Sequence, residues 1–182
     1  MSLKKNKIEF VLKGKRHCID VNEDGYGPTT TVLDFLRGLS GFKGVKEGCA
    51  EGDCGACTLV LGSLTKDGTI KYRSFDSCLV FLPMLHAKEL ITVECIGSSE
   101  KLHHVQKAMV DHDGSQCGYC TPGFIMSMYY LYQKGKPATR EEIDDTLTGN
   151  LCRCTGYRSI VDAAIRSCGQ PVRNGEEAEK IR

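Results

Sequence analysis

The pattern of hydrophobic positions divides the chain into two parts with different predicted secondary structure. Up to about Gly97, short alternating apolar runs are separated by glycine-containing turns, which is typical of β-strands. Strands are predicted at about residues 8–12, 18–21, 58–61, 69–72 and 90–95. Thr31 to Leu39 has apolar residues at helical spacing and predicts one short helix among these strands.

From Leu102 onward the apolar spacing is helical, and four helices are predicted. Thr121-Pro122 is typical of a helix start, with threonine as the N-cap and proline at the first helical position. Thr139 and Glu142 form a capping-box pattern, and a last helix is predicted from about Ser159. The sequence therefore predicts an α+β fold, with a strand-rich domain at residues 1–97, a four-helix bundle at 98–168 and a polar tail or linker at 169–182.

Composition narrows the possible partners and the compartment. The chain has 182 residues, 41% of them hydrophobic, and a formal net charge of +1. Near-neutral charge argues against general binding to nucleic acid or to anionic membranes. No apolar run reaches the roughly 20 residues that a membrane span needs. The lysine-rich start is not followed by an apolar stretch, so we expect no signal peptide and a cytoplasmic protein.

Eight of the eleven cysteines fall into two groups. The first, which we call the loop set, is Cys49, Cys54 and Cys57, with Cys78 as the predicted fourth member. Its C-x4-C-x2-C spacing with a distant fourth cysteine is the plant-type ligand spacing for a 2Fe–2S cluster. Cys95 is the rival for the fourth position. Residues 41–57 lack helical or strand periodicity, and a cluster that cross-links this long loop would explain it.

The second group, the helical set, is Cys117, Cys120, Cys152 and Cys154. The first pair precedes a predicted helix N-terminus, which favours an anionic centre. The second pair follows the helix stop at Gly149, where an extended turn can direct both thiols inward. Spacing alone leaves three interpretations open, namely an iron–sulfur cluster, a structural zinc ion and a redox dithiol.

The remaining reactive side chains indicate no catalytic site. An odd cysteine count without an export signal disfavours disulfides, and Cys18, Cys95 and Cys168 are predicted to pack as small buried residues. All five histidines, at positions 17, 86, 103, 104 and 112, are predicted to lie at the surface or to contact a partner. No glycine-rich phosphate motif, carboxylate pair or nucleophile–base constellation is present. No catalytic residue and no substrate site are predicted in this chain.

Three longer motifs carry a family resemblance. Residues 48–58 (GCAEGDCGACT), 114–123 (GSQCGYCTPG) and 149–158 (GNLCRCTGYR) closely resemble the cluster motifs of the xanthine oxidase family of molybdenum hydroxylases. The resemblance extends from about Ile8 to Cys168. It implies a plant-ferredoxin-like β-grasp domain followed by a helical 2Fe–2S domain. It also implies that the loop set and the helical set each ligate one 2Fe–2S cluster.

The resemblance implies a role and partners as well. In the family, the residues matching Gln116 and Cys154 lie against the molybdopterin cofactor. Electrons pass from molybdenum through the helical set and the loop set to FAD, so a molybdenum-binding large subunit and a FAD-binding subunit or domain are the expected partners. Residues 63–93, 112–116 and 126–129 look most like xanthine dehydrogenase, which predicts hydroxylation of a purine or similar N-heterocycle.

Three alternatives remain at this point. The chain is the small subunit of another molybdenum hydroxylase, of aldehyde, nicotinate or carbon monoxide type. Alternatively it is a freestanding ferredoxin-like carrier, or an interaction module stabilised by zinc. Gln116 beside a cluster argues against the freestanding carrier, since a soluble carrier needs no pterin contact.

Overall fold

The computed structural model describes residues 7–21 and 23–169, and it begins with a five-stranded mixed sheet. The strands are β1 (Lys7–Leu12), β2 (Lys15–Asp20), β3 (Thr58–Leu64), β4 (Ile70–Asp76) and β5 (Lys88–Ile91). Their order across the sheet is β2-β1-β5-β3-β4, and β1 and β5 are the parallel pair. The predicted tail falls outside the described residues from residue 170 onward.

Helices occupy most of the second half. The elements are α1 (Val32–Gly38), a 3₁₀ helix (Leu82–Leu85), α2 (Val93–Ile96), α3 (His104–Asp111), α4 (Thr121–Tyr132), α5 (Arg140–Leu147) and α6 (Arg158–Cys168). The predicted α+β class, with a strand-rich part followed by a helical one, is confirmed. No helix within the described ranges is long and apolar enough to cross a membrane.

The sheet is covered on both faces, and this joins the two halves of the chain. Leu59 on β3 packs into the core that contains α1, together with Phe10 and Phe35. The next residue, Val60, points to the opposite face and packs against Met126 of α4. Because both faces of β3 are buried, its apolar residues run consecutively instead of alternating. The helical half is therefore packed directly onto the sheet.

The helical core is built as the spacing predicts. On α6 the buried residues Ile160, Ala163, Ala164 and Ser167 share one face. The capping box on α5 is confirmed, because the Thr139 hydroxyl accepts a hydrogen bond from Glu142 N and the Glu142 carboxylate accepts one from Thr139 N.

The strand predicted at residues 90–95 is wrong in its second half. β5 ends at Ile91, and the chain turns at Thr92 into the short helix α2. Val93 and Ile96 then pack against the helical core. Their spacing of three residues is helical, but over such a short run it cannot be told from an interrupted strand.

One cap prediction and one surface prediction also need correction. The N-cap of α4 is Cys120, one residue before the predicted Thr121, whose hydroxyl instead lies 2.8 Å from the Ser115 hydroxyl. His103 is buried, not at the surface, and its Nδ1 accepts a hydrogen bond from Val105 N at the start of α3. Histidine is not among the preferred N-cap residues, so composition gave no signal for this role.

Candidate iron–sulfur sites

The β3–β4 hairpin places the last two members of the loop set side by side. Thr58 pairs with Asp76 at the open end of the hairpin, so Cys57 just before β3 lies opposite the residues that follow β4. The sulfurs of Cys57 and Cys78 are 3.4 Å apart and both residues are buried. The rival Cys95 lies elsewhere, with its sulfur 3.4 Å from the Thr92 hydroxyl.

The first two members lie together within the loop. Interaction with the Cys54 side chain is among the effects that lower the pKa of Cys49. Backbone N–H groups point at both sulfurs: Asp53 N is 3.3 Å from the Cys49 sulfur, and Cys49 N is 3.3 Å from the Cys54 sulfur. Backbone donors aimed at sulfur stabilise negative charge there and raise the potential of a cluster.

Glycine is required where the loop closes around the sulfurs. A Cβ on Gly48 would lie 2.6 Å from the Cys54 sulfur, which is closer than real Cβ contacts permit. Gly52 has a φ of +85°, and a Cβ there would lie 2.4 Å from the Leu79 side chain. Gly48 therefore lets the loop backbone approach the Cys54 sulfur closely, and Gly52 lets it pass against Leu79.

The thiols of the loop set differ in acidity when no metal is bound. Backbone hydrogen bonds, first from Glu51, lower the pKa of Cys49 to about 7. Burial raises the pKa of Cys57 to about 12, and burial also raises the pKa of the neighbouring Asp76. A buried thiol becomes a thiolate readily only when a cation shares its site, so Cys57 is suited to metal ligation and poorly suited to free-thiol chemistry.

The helical set also consists of two pairs. After burial, the neighbouring Cys152 thiol contributes to raising the pKa of Cys120, and interaction with Cys117 is the main cause that raises the pKa of Cys154. Cys120 is the N-cap of α4, so the positive end of that helix faces the site. The C-x-C segment lies between α5 and α6, in a bend that includes Arg153 and Cys154.

Thr155 and Tyr157 hold Cys152 in place. The Thr155 hydroxyl lies 3.1 Å from the Cys152 sulfur, and Cys152 N donates to the Tyr157 hydroxyl at 3.0 Å. Burial alone would raise the pKa of Cys152, but the Thr155 hydrogen bonds keep that pKa below its ordinary value. Burial raises the pKa of Cys120 to about 12. Without a metal, Cys152 therefore favours the thiolate form and Cys120 favours the thiol form.

Two pairs of thiols per site fit a binuclear cluster. A 2Fe–2S centre takes four cysteine thiolates, two for each iron, whereas a zinc ion needs its ligands around a single point. The loop set and the helical set each supply four thiols, and they are the residues that would hold such clusters.

The helical set reaches the molecular surface on one side. Cys117 and Cys154 are exposed, and Gln116 beside them is exposed as well. The loop set is less accessible, since Cys57 and Cys78 are buried and Cys49 and Cys54 are only partly exposed. Gln116 and Cys154, the two residues expected to contact a pterin, therefore share one accessible edge.

The ligand loops of the two sets bond directly to each other. Leu151 N, one residue before Cys152, donates to the Cys54 carbonyl at 3.0 Å. The Tyr119 hydroxyl, between Cys117 and Cys120, donates to the Glu47 carbonyl. Sequence reasoning did not find these contacts, because they join residues far apart in the chain.

The cysteines outside the two sets differ from one another. Cys168 is buried, as predicted, but Cys18 is exposed on β2 and Cys95 is only partly buried. Cys18 falls on the solvent side because Ile19 occupies the inward position of that strand. The alternation of β2 indicated this orientation, and the general tendency of cysteine to be buried did not apply.

Comparisons with known proteins agree with this geometry. A family model described as a [2Fe-2S] binding domain matches residues 92–165. Xanthine dehydrogenase of Blastobotrys adeninivorans is 47% identical over 169 residues, covering 91% of this chain and 12% of the relative. Xanthine dehydrogenase/oxidase of Rattus norvegicus is 43% identical over 157 residues, covering 86% of this chain and 12% of the relative.

Solved structures show the same fold. Quinoline 2-oxidoreductase from Pseudomonas putida 86 matches with a TM-score of 0.71 and 31% identity, over 87% of this chain and 90% of that one. Aldehyde oxidoreductase from Desulfovibrio gigas matches with a TM-score of 0.75 and 33% identity, over 89% of this chain and 17% of that one.

Fold, paired thiols and matches together define a two-part 2Fe–2S electron-transfer protein. The chain belongs to the xanthine dehydrogenase/aldehyde oxidoreductase family of molybdenum hydroxylases and corresponds to its iron–sulfur region. It spans about one eighth of the length of the curated relatives it matches, with 12% of each covered.

Proposed function

We propose that this chain is the electron relay of a xanthine dehydrogenase-like hydroxylase, carrying electrons from a molybdopterin centre to FAD. Electrons enter at the helical set and leave from the loop set, which hold one 2Fe–2S cluster each. A bound cluster supplies one-electron redox chemistry. The protein's contribution is to place the two sets and to adjust them by burial and hydrogen bonding. Substrate hydroxylation belongs to the molybdenum-binding partner.

The observation that carries this proposal is the arrangement of the helical set. One side of the set is exposed at Cys117 and Cys154, beside Gln116. Its other side is bonded to the loop set through Leu151 and Cys54. A site that is open to a partner at one end and bonded to a second redox site at the other is suited to electron relay. A freestanding carrier needs only one centre and one exposed edge.

The finer assignment to a xanthine dehydrogenase type rests on the relatives. Several of the most similar curated proteins are named xanthine dehydrogenase. A probable aldehyde oxidase of Caenorhabditis elegans is also 43% identical, and aldehyde and quinoline oxidoreductases match in structure at 32% and 31%, so these types are the second candidate. We therefore propose a purine or related N-heterocycle as the substrate class of the complete enzyme, and FAD- and molybdopterin-binding partners for this chain.

The domain limits and compartment follow the same reasoning. We assign residues 1–97 to the ferredoxin-like domain and 98–168 to the helical domain, with 169–182 as tail or linker. Eleven cysteines, eight of them assigned to metal ligation, fit a reducing compartment. We accordingly propose a cytoplasmic location.

Iron content and electron paramagnetic resonance (EPR) test the two-cluster assignment. After anaerobic purification we expect about four irons per chain and two distinct 2Fe–2S signals on dithionite reduction, from two clusters of two irons. About two irons with one signal, and zinc in the remainder, would contradict the relay.

Gln116 provides a test of the pterin contact. Gln116→Ala removes an exposed amide beside Cys117, so we expect both clusters to remain and the affinity for the molybdenum-binding partner to fall. The matched control is Gln133→Ala, at the opposite end of α4. Affinity is measured by titration calorimetry with the separated partner. Equal affinities for the two variants would count against the contact.

A further inference from the structure

Asn150 lies where the two ligand loops meet. It is 3% exposed and follows Gly149, two residues before Cys152. Its Oδ1 accepts a hydrogen bond from the Ser127 hydroxyl of α4 at 2.6 Å. Its Nδ2 donates to the Gly55 carbonyl at 2.9 Å and lies 3.2 Å from the Thr58 hydroxyl. A buried amide with all these bonds satisfied is held in one orientation.

These bonds connect the loop set to the helical set. Gly55 follows Cys54 directly, so the Asn150 amide donates its hydrogen bond to a residue next to a member of the loop set. Beside it, Leu151 N donates to the Cys54 carbonyl. Cys54 and Cys152 are therefore connected by one hydrogen bond, from Leu151 N to the Cys54 carbonyl, and by the peptide bond between Leu151 and Cys152.

The backbones around Asn150 approach each other closely. A Cβ on Gly123 would lie 2.2 Å from the Gly55 carbonyl oxygen, and a Cβ on Gly55 would lie 2.3 Å from the Gly149 carbonyl oxygen. The Asn150 carboxamide fills the space between these segments. A small shift of its position would move one ligand loop relative to the other.

We propose that Asn150 is a positioning residue for electron exchange, and that its Nδ2 donor fixes the distance and orientation between the loop set and the helical set. The inference rests on the proposed function, in which each set holds a cluster. Asparagine is suited to this position because it donates on one side, to Gly55, and accepts on the other, from Ser127.

Asn150→Asp removes the Nδ2 donor and keeps the acceptor oxygen on the other side. The carboxylate still accepts from Ser127, but the atom that replaces Nδ2 is an acceptor facing the Gly55 carbonyl. Two acceptors in a buried contact repel, so the loops separate at this point. Ser127→Ala is the matched control, since it removes the bond inside the helical half and leaves the Nδ2 bonds in place.

The readout is magnetic coupling between the two reduced clusters, seen as splitting of the EPR lines at low temperature in the dithionite-reduced chain. We expect the unsubstituted chain and Ser127→Ala to show the splitting, and Asn150→Asp to lose it while retaining both signals and its iron. Unchanged splitting in Asn150→Asp would overturn the proposal, and so would equal loss in Ser127→Ala.

Loss of iron from Asn150→Asp would also count against the proposal, because the residue would then support cluster binding instead of spacing. Failure of the two-cluster function is distinguishable from all of these outcomes. In that case the unsubstituted chain itself would lack one signal.

Discussion

Gly55→Ala will destabilise the chain far more than the same substitution at another glycine with a similar backbone conformation. Gly55 has a φ of +66°, and its Cβ would meet the Gly149 carbonyl oxygen at 2.3 Å and the Asn150 Nδ2 at 2.5 Å. The left-handed backbone costs roughly 1–2 kcal/mol for a residue with a side chain. Forcing an atom into this packed junction adds about 1–3 kcal/mol or more.

Gly68→Ala is the matched control. Gly68 has a φ of +84°, but no atom lies within 4 Å of its Cβ position. At about 2–4 °C per kcal/mol for a chain of this size, we expect midpoint losses of roughly 10 °C for Gly55→Ala and roughly 4 °C for Gly68→Ala. Thermal unfolding followed by circular dichroism at one fixed scan rate measures both. Equal losses would mean that the junction between the ligand loops is not tightly packed.

Features set by local sequence could be predicted. The Thr139–Glu142 capping box depends on residues three positions apart, and the structure confirms it. The partnership of Cys57 with Cys78 also follows from a local element, since one hairpin connects them. In each case the physical cause lies within a single supersecondary unit.

Features set by tertiary packing could not be predicted. Asn150 and Gly55 are 95 positions apart, and Tyr119 and Glu47 are 72 apart. Only the docking of α4 onto the sheet brings these groups together. For the same reason, the switch from β5 to α2 depends on Val93 reaching the helical core, which is a contact that periodicity cannot reveal.

Family motifs carried information that the helical set's spacing did not. C-x2-C with C-x-C left zinc and iron–sulfur open, because both metals accept four thiolates. The longer motifs around Cys117 and Cys152 favoured iron–sulfur, and the match of residues 92–165 to a [2Fe-2S] binding domain agrees with them.

Cys78→Ala will remove one cluster and leave the other. Cys78 supplies the sulfur 3.4 Å from Cys57, so its loss leaves one iron with a single thiolate, and a cluster of two irons needs four. We expect iron to fall from about four to about two per chain, with loss of one of the two EPR signals. Alanine is preferred to serine because a serine oxygen can replace a thiolate as ligand.

Cys95→Ala is the matched control for Cys78→Ala, because Cys95 is the only other candidate for the fourth ligand that the sequence offers. Its sulfur lies 3.4 Å from the Thr92 hydroxyl, whereas Cys78 is the cysteine whose sulfur lies beside that of Cys57. We expect the iron content and both EPR signals of Cys95→Ala to match those of the unsubstituted chain. The reverse result, with iron lost from Cys95→Ala and retained in Cys78→Ala, would transfer the fourth ligand to Cys95 and require the β3–β4 hairpin to open.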